Sequence, residues 1–249
     1  MNGQHFLVTG GSSGIGLAIA RALIDEGAHV HLVARGPEAL ERVQKDLGKR
    51  AWVYPCDIVD DAARKAMVDQ VAKNCGGQLD GLVVNAAKYG FKPILEVEPA
   101  ELEAYFRTNT FSTLYLVRET LALLQAGSGK AVLFISSTLS TRPVPGTAAY
   151  AASKAAMNSL ARSLTLELSG LGIRVNSILP GVVDTPIHEP QTEADPARAD
   201  KMASLAPIHP IGRVGRPEDV AAGAVYLLSD KASWVTGSEY FLDGGVSLV

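Results

Sequence analysis

Short apolar runs alternate with amphipathic stretches from one end of this chain to the other, and that alternation limits the possible fold more than any other feature. Runs at 6–8, 29–34, 51–54, 81–84, 131–135, 174–179 and 240–242 read as strands. Their residues are apolar without interruption, or nearly so, as in strands buried on both faces. The segments between them carry a helical period. In 14–26, Ile15, Ala18, Ile19, Ala22 and Leu23 fall on one face, and Gly27 ends the helix. Further helices are expected at 38–47, 60–73, 101–124, from Tyr150 onward, and at 218–228, the last one opened by Pro217. Strand–helix alternation implies βαβ units with right-handed crossovers. The expected fold is therefore α/β: one domain over 1–249, a doubly wound parallel sheet with helices on both faces. With 249 residues, 47% of them hydrophobic, the chain can fill such a core.

Several function classes are disfavoured. The net charge is −3, with Lys and Arg scattered, so nothing points to nucleic acid or an anionic membrane. No apolar stretch approaches the ~20 residues that span a bilayer. The first residues show no charged n-region or long apolar h-region, so no signal peptide is expected. Cys56 and Cys75 read as plain thiols of a reducing cytoplasm. The five histidines form no metal-ligand spacing, and no metal is expected. His188 and His209 read as loop residues, Trp52 and Trp234 as packing residues, and Glu96 and Glu98 as part of a solvated face.

In parallel sheets, ligands bind outside the carboxyl ends of the strands. Those ends carry Gly10, Ala34, Asp57, Asn85, Ser137 and Pro180-Gly181. The first strand runs into Thr9-Gly10-Gly11-Ser12-Ser13-Gly14-Ile15-Gly16 and then a helix. Such glycines permit close approach of a pyrophosphate to helix-terminal N–H groups. The Gly-x-x-x-Gly-x-Gly spacing differs from Gly-x-Gly-x-x-Gly, and no Gly-Lys-Ser/Thr of a P-loop follows. Further on, Tyr150 and Lys154 stand four residues apart, on one helix face. A nearby ammonium favours the phenolate and lowers a tyrosine pKa, which suits acid–base work. Alone, Tyr-x-x-x-Lys is a weak signal, and a half-buried Tyr beside a solvated Lys is the default reading.

Taken in order, Thr9-Gly10-x-x-x-Gly14-Ile15-Gly16, Asn85-Ala86-Ala87, Asn109, Ser137, Tyr150-x-x-x-Lys154 and Pro180-Gly181-x-x-x-Thr185 resemble the signature of the short-chain dehydrogenase/reductase family. Gly212-Arg213-x-Gly215-x-Pro217-Glu218-Asp219 and Asp243-Gly244-Gly245 are similar to its 3-oxoacyl-acyl-carrier-protein-reductase-like branch. The resemblance covers the whole chain and implies a Rossmann-type fold. It implies Tyr150 as the acid/base, and Lys154 as the group that lowers its pKa and holds the nicotinamide ribose. Ser137 would bind the substrate oxygen, and Asn109 would position a water for a relay through Lys154. Gly10, Ser12, Ser13, Gly14 and Ile15 would hold the cofactor phosphates. Asp57 and Ile58 would meet the adenine and Asn85 the adenosine ribose. The Val183 backbone would meet the carboxamide, and Thr185 the carboxamide or phosphates. The chain departs from the family at Ala87, where glycine is usual, and a small local adjustment is expected.

By alignment to the family, Ala34 takes the position of an acid that holds NAD, and Arg35 follows it. The expected cofactor is therefore NADP(H) in preference to NAD(H). The resemblance further implies a ketone or secondary alcohol as substrate and a homotetramer, or at least a homodimer, paired through the helices at 101–124 and 150–168. The polar, proline-broken stretch 186–210 reads as a mobile substrate lid. Lys88 to Ile94 and Thr138 to Thr147 are further candidate walls, with Tyr89, Phe91, Leu139, Val144 and Ile187 giving a partly apolar pocket. A non-catalytic dinucleotide-binding sensor or scaffold is the alternative. An extended-branch epimerase or dehydratase would need a longer chain and other glycine spacing.

Overall fold

The computed structural model describes residues 1–188 and 196–249. Seven strands form one sheet: β1 (His5–Thr9), β2 (His29–Ala34), β3 (Ala51–Pro55), β4 (Gly81–Val84), β5 (Ala131–Ile135), β6 (Arg174–Pro180) and β7 (Glu239–Leu242). They are parallel throughout, in the order β3-β2-β1-β4-β5-β6-β7. The helices are α1 (Gly14–Asp25), α2 (Pro37–Leu47), α3 (Asp61–Asn74), α4 (Pro99–Phe106), α5 (Ser112–Ala126), α6 (Ala148–Leu168), α7 (Pro196–Leu205) and α8 (Pro217–Leu228). The two-residue period of a strand divides the core. Phe6 and Val8 of β1 pack with Ile19 and Leu23 of α1 and Ala224 of α8. Leu7 between them packs on the other face with Val71 of α3, Leu116 of α5 and Met157 of α6. Strand order reverses between β1 and β4, where ligands bind in open α/β sheets.

Two of the expected elements differ. The single helix anticipated at 101–124 is α4 and α5 joined by a π-helical segment, Arg107–Phe111. The segment inserts one extra residue into the helical path. Its cause is tertiary. Asn109 is fully buried, and its side chain is bonded to Lys88 and Ser153, outside its own helix. The hydroxyls of Ser112 and Thr113 donate to the carbonyls of Thr108 and Thr110, at 2.8 and 2.6 Å. The second difference lies in 186–210. This stretch contains a 3-10 turn at Pro186–His188, helix α7 and a second 3-10 turn at Ala206–Ile208. Residues 189–195 of the expected lid lie outside the described residues. No described helix is long and apolar enough to cross a membrane.

Two single residues also depart from expectation. Trp234 is 98% exposed, so it packs into no core of its own chain. His209 is a buried tie rather than a plain loop residue. Its ring accepts from Val182 N at 3.3 Å and donates to the Leu205 carbonyl at 3.0 Å. Trp52 does pack as expected, stacked on His31 with centroids 5.1 Å apart.

A hydrogen-bonded chain crosses the first three strands diagonally, from the start of β1 to the end of β3. Asn74 Nδ2 donates to the Tyr54 hydroxyl at 2.8 Å, and that hydroxyl pairs with His31 Nδ1 at 2.9 Å. His31 Nε2 pairs with His5 Nδ1 at 3.0 Å. Both ring nitrogens of His31 are therefore engaged, with a phenol oxygen that can accept as well as donate on one side and a second imidazole on the other. Burial, with the neighbouring His5 and His29 charges, pushes His31 down to about 3. In the unfolded chain it titrates near ~6.5. The folded value is the lower one, so this stability is complete above the unfolded pKa and is lost as pH falls toward the folded one. Between pH 7.5 and 5.0, His31 alone should cost about 2 kcal/mol. Urea unfolding at the two pH values measures this loss, which should shrink in His31→Leu. Equal losses in both proteins would assign the acid sensitivity elsewhere.

Candidate active site

The site is built where β1 and β4 part. The Thr9 hydroxyl accepts from Asn85 N at 2.9 Å and Ala86 N at 3.0 Å. Asn85 Nδ2 returns a bond to the Thr9 carbonyl at 2.9 Å. These bonds hold the glycine loop against the end of β4. At Gly10, φ is +66°, and a Cβ there would sit 2.7 Å from Asn85 Nδ2. A Cβ on Gly16 would overlap the Gly10 carbonyl oxygen. The loop then enters α1, whose first N–H groups have no helical partner and face an anion readily.

Two adjoining cavities open along this edge. One of about 780 Å³ is lined by Gly10, Ser12, Ser13, Gly14, Ile15, Arg35, Asp57, Ile58 and Asn85. The other, of about 1500 Å³, is lined by Ser137, Tyr150, Lys154 and Val183. Ile15, Asn85, Ala87, Tyr89, Thr185 and Ile187 line both, so the two form one long channel. Its shape, the close backbone approach at the glycines and the start of α1 fit an extended ligand that carries phosphate. The wall of the second cavity is mainly apolar, with Phe91, Leu139, Val144, Leu205 and Ile208 among its residues. Among the described residues, no three His, Cys, Asp or Glu gather as a metal site.

Tyr150 and Ser137 form a hydrogen-bonded pair of hydroxyls on the wall of the second cavity. The Tyr89 ring meets Tyr150 edge-on, with centroids 5.0 Å apart. Lys154 lies one turn along α6. Its Nζ donates to the Ile135 carbonyl at 2.8 Å and sits 6.0 Å from the Tyr150 ring centroid. Burial moves both groups toward their neutral forms. It raises the Tyr150 phenol well above its ordinary value, and the Ser137 hydrogen bond pulls it partly back. It lowers Lys154 to about 7. The lowered tyrosine expected from the i, i+4 spacing is thus not what the protein's own groups produce. The desolvation of a fully enclosed phenol outweighs them.

Asn109 lines neither cavity. It stands behind the site, where Oδ1 accepts from Lys88 N at 2.8 Å and Nδ2 donates to the Lys88 carbonyl and to Ser153 Oγ, both at 2.9 Å. Ser153 Oγ donates in turn to the Tyr150 carbonyl at 2.7 Å. Asn109 therefore ties the Lys88 wall to the helix that carries Tyr150 and Lys154. Ser140 donates to the Ser137 carbonyl at 2.6 Å and accepts from Asn158 at 2.9 Å. Ser136 Oγ is buried and makes no hydrogen bond. Ala87 does not have positive φ, so its methyl imposes no backbone strain.

Sequence reasoning gave no separate role to Thr9 and missed Ser153. A hydroxyl at a strand end was the available signal for Thr9, and no local signal marks Ser153. Tyr89, expected on an apolar wall, lines both cavities.

A family model described as enoyl-(acyl carrier protein) reductase matches residues 10–247. The chain is 35% identical over 246 residues to cis-4-hydroxycyclohexanecarboxylate dehydrogenase of Sinomonas cyclohexanicum, covering 98% of this chain and 96% of that protein. It is 34% identical over 231 residues to a protein of Xanthobacter autotrophicus described as inactive 2-(S)-hydroxypropyl-CoM dehydrogenase 2, covering 93% and 100%. A solved 3-ketoacyl-(acyl-carrier-protein) reductase from Brucella melitensis, complexed with NADH, superposes with a TM-score of 0.90. That match is 28% identical and covers 99% of each chain.

Proposed function

The chain belongs to the short-chain dehydrogenase/reductase family, and from that premise we propose that it is an NADP(H)-dependent oxidoreductase interconverting a ketone and a secondary alcohol. One observation carries the reading: the paired hydroxyls of Ser137 and Tyr150 stand beside Lys154 in a cavity continuous with the glycine loop. The bound nicotinamide supplies or accepts the hydride. The protein does the rest. Ser137 and Tyr150 hold the substrate oxygen, and Tyr150 gives it a proton in reduction or takes one in oxidation. Burial keeps the phenol protonated, the state needed to donate. Lys154, at about 7, passes between its two protonation states near neutral pH and suits a relay that reloads Tyr150. Asn109, whose side-chain amide is fully engaged by Lys88 and Ser153, holds the Lys88 wall and α6 in register, and a role for it in placing a relay water would fall to its backbone.

The apolar second cavity and the cyclohexanol-acting relative direct the first substrate tests to cyclic secondary alcohols and ketones. The stretch 186–210 serves as the lid of the single domain 1–249. Its Ile187, Leu205 and Ile208 stand on the cavity wall. The relative described as inactive favours one second reading, a non-catalytic dinucleotide-binding protein. The two readings part on activity. Wild type should reduce members of a ketone panel with NADPH, and Tyr150→Phe should lose ~10²–10⁴-fold in turnover with cofactor binding nearly retained. A Phe variant holding more than about a tenth of the turnover would remove Tyr150 from its role. Lys154→Met should weaken both turnover and cofactor affinity.

Cofactor choice rests on the end of β2. Ala34 presents no carboxylate there, and Arg35 lines the same cavity as Ser12 and Ser13. A planar guanidinium suits a 2′-phosphate. A hydrogen bond to a charged group is worth roughly 1.5–3 kcal/mol, and each 1.4 is about tenfold. NADPH should exceed NADH by at least ~10-fold in kcat/KM, and Arg35→Ala should cost NADPH about one to two orders of magnitude. Steady-state kinetics with both cofactors checks this, and equal use of NADH would reverse the assignment.

A homotetramer acting in the cytoplasm completes the reading. Phe111 and Leu114 of the π segment and α5, Leu166 of α6, and Trp234, Tyr240 and Phe241 near β7 are exposed apolar groups on a single chain. Closed symmetry would cover them. Both cysteines are buried and unpaired, as suits a reducing compartment. Light scattering at micromolar concentration should give a multiple of the 26.2 kDa chain mass, and the monomer mass would refute the assembly.

A further inference from the structure

The helix α3 buries Arg64, Met67, Val68 and Val71 against the sheet. Three of these are apolar, as the face requires, and the fourth is a guanidinium only 1% exposed. Taking a charge out of water costs several kcal/mol unless partners restore what hydration gave. Here they do. Nε donates to Glu119 Oε2 at 2.8 Å and Nη2 to Glu119 Oε1 at 3.0 Å, a two-pronged pairing with a carboxylate of α5. Nη2 also donates to Asp61 Oδ1 at 2.8 Å. Burial alone would lower the guanidinium pKa, but these carboxylates outweigh it and hold the charge firmly on. Tyr115 of α5 covers the group, with its ring centroid 5.2 Å from the guanidinium carbon.

The remaining prong goes elsewhere. Nη1 donates to the Ile58 carbonyl at 2.9 Å. Ile58 stands between Asp57 and Val59, and the three form the wall of the first cavity that follows β3. The ends of this loop are held by Cys56 N, which donates to the Ala34 carbonyl at 2.9 Å, and by Asp60, which caps α3. Between them, Asp57 Oδ1 accepts from Val59 N at 3.1 Å and the Asp57 carbonyl from Asp60 N at 3.0 Å, both within the loop. The Ile58 side chain is buried in the core. Arg64 adds a side-chain bond to the backbone at the middle of the loop, and its Glu119 pairing anchors that bond in α5.

We propose that Arg64, held by Glu119, is the positioning residue that sets the adenine-side wall of the cofactor cavity. This assignment rests on the dinucleotide reading of that cavity. It does not make Arg64 a catalytic residue, since the guanidinium lines neither cavity. An aliphatic side chain would fill the same place in the core without reaching the Ile58 carbonyl. A lysine would keep the charge but lose the planar fork that bonds Glu119 twice while still reaching Ile58.

The test uses the full-length enzyme with Arg64→Lys and Glu119→Gln. Isothermal titration with NADPH and with 2′,5′-ADP, which carries only the adenosine half, should show both ligands weakened about tenfold. The KM for NADPH should rise in step, while kcat at saturating NADPH stays within about twofold. A purely structural role would instead lower the folded fraction, reducing apparent kcat with the cofactor KM unmoved, and that outcome overturns the assignment. So does failure of both variants to fold, which would make the pair a core element only. Wild-type protein that binds neither NADPH nor NADH would refute the dinucleotide reading itself. Wild-type binding matched by both variants refutes only the role of Arg64.

Discussion

The bonds between Thr9 and the end of β4 are the constraint on which the site depends. Two parallel strands whose crossovers leave in opposite directions open a crevice between their following loops. That crevice exposes backbone N–H groups that the sheet no longer satisfies. One hydroxyl takes two of them, at Asn85 and Ala86, and the Asn85 amide answers through the Thr9 and Gly10 carbonyls. The glycine loop is thereby fixed relative to β4, and a side chain at Gly10 would break the arrangement. Everything farther along the channel is placed from this point.

Burial does two jobs in the molecule. In the core it removes apolar surface from water on both faces of the sheet, the main favourable contribution to folding. At the site it acts on charge. Tyr150 and Lys154 are enclosed together, and the loss of solvent moves a phenol up and an ammonium down. Burial thus favours the neutral form of each group. The same loss of solvent at Arg64 gives the opposite outcome because two carboxylates accompany it. Partners, not depth, decide which buried groups stay ionised.

Much of the fold was legible because each strand is a nearly continuous apolar run and each helix repeats on one face. The seven strands and their parallel pairing follow from that pattern and the alternation. What escaped depends on contacts distant in sequence. Residues 101–124 spell a helix locally, and nothing nearby announces that Asn109 bonds Lys88, 21 positions away, and Ser153, 44 away. Arg64 carried no signal of its pairing, since its carboxylate partner Glu119 is 55 positions off. Trp234 looked like core by residue type alone. Gly10, Asp57, Asn85 and Ser137 could be singled out because they follow strand ends, whereas Asn109, Tyr150 and Lys154 lie on helical segments and were reached through spacing and resemblance. Their protonation could not, because spacing reveals that Lys154 is near Tyr150 but not how deeply both are buried.

The extra residue at Arg107–Phe111 makes the helical run from 99 to 126 behave like a gear. Each residue of an α-helix turns the face by about 100°. An insertion or deletion of one residue in a loop is absorbed locally. In this segment it would rotate all of α5, carrying Glu119 away from Arg64 and turning Phe111 and Leu114 to a new azimuth. Chain length at this one place therefore sets an angle, and through it the meeting of Glu119 with Arg64, the Asn109 tie to α6 and the outer face of the helix.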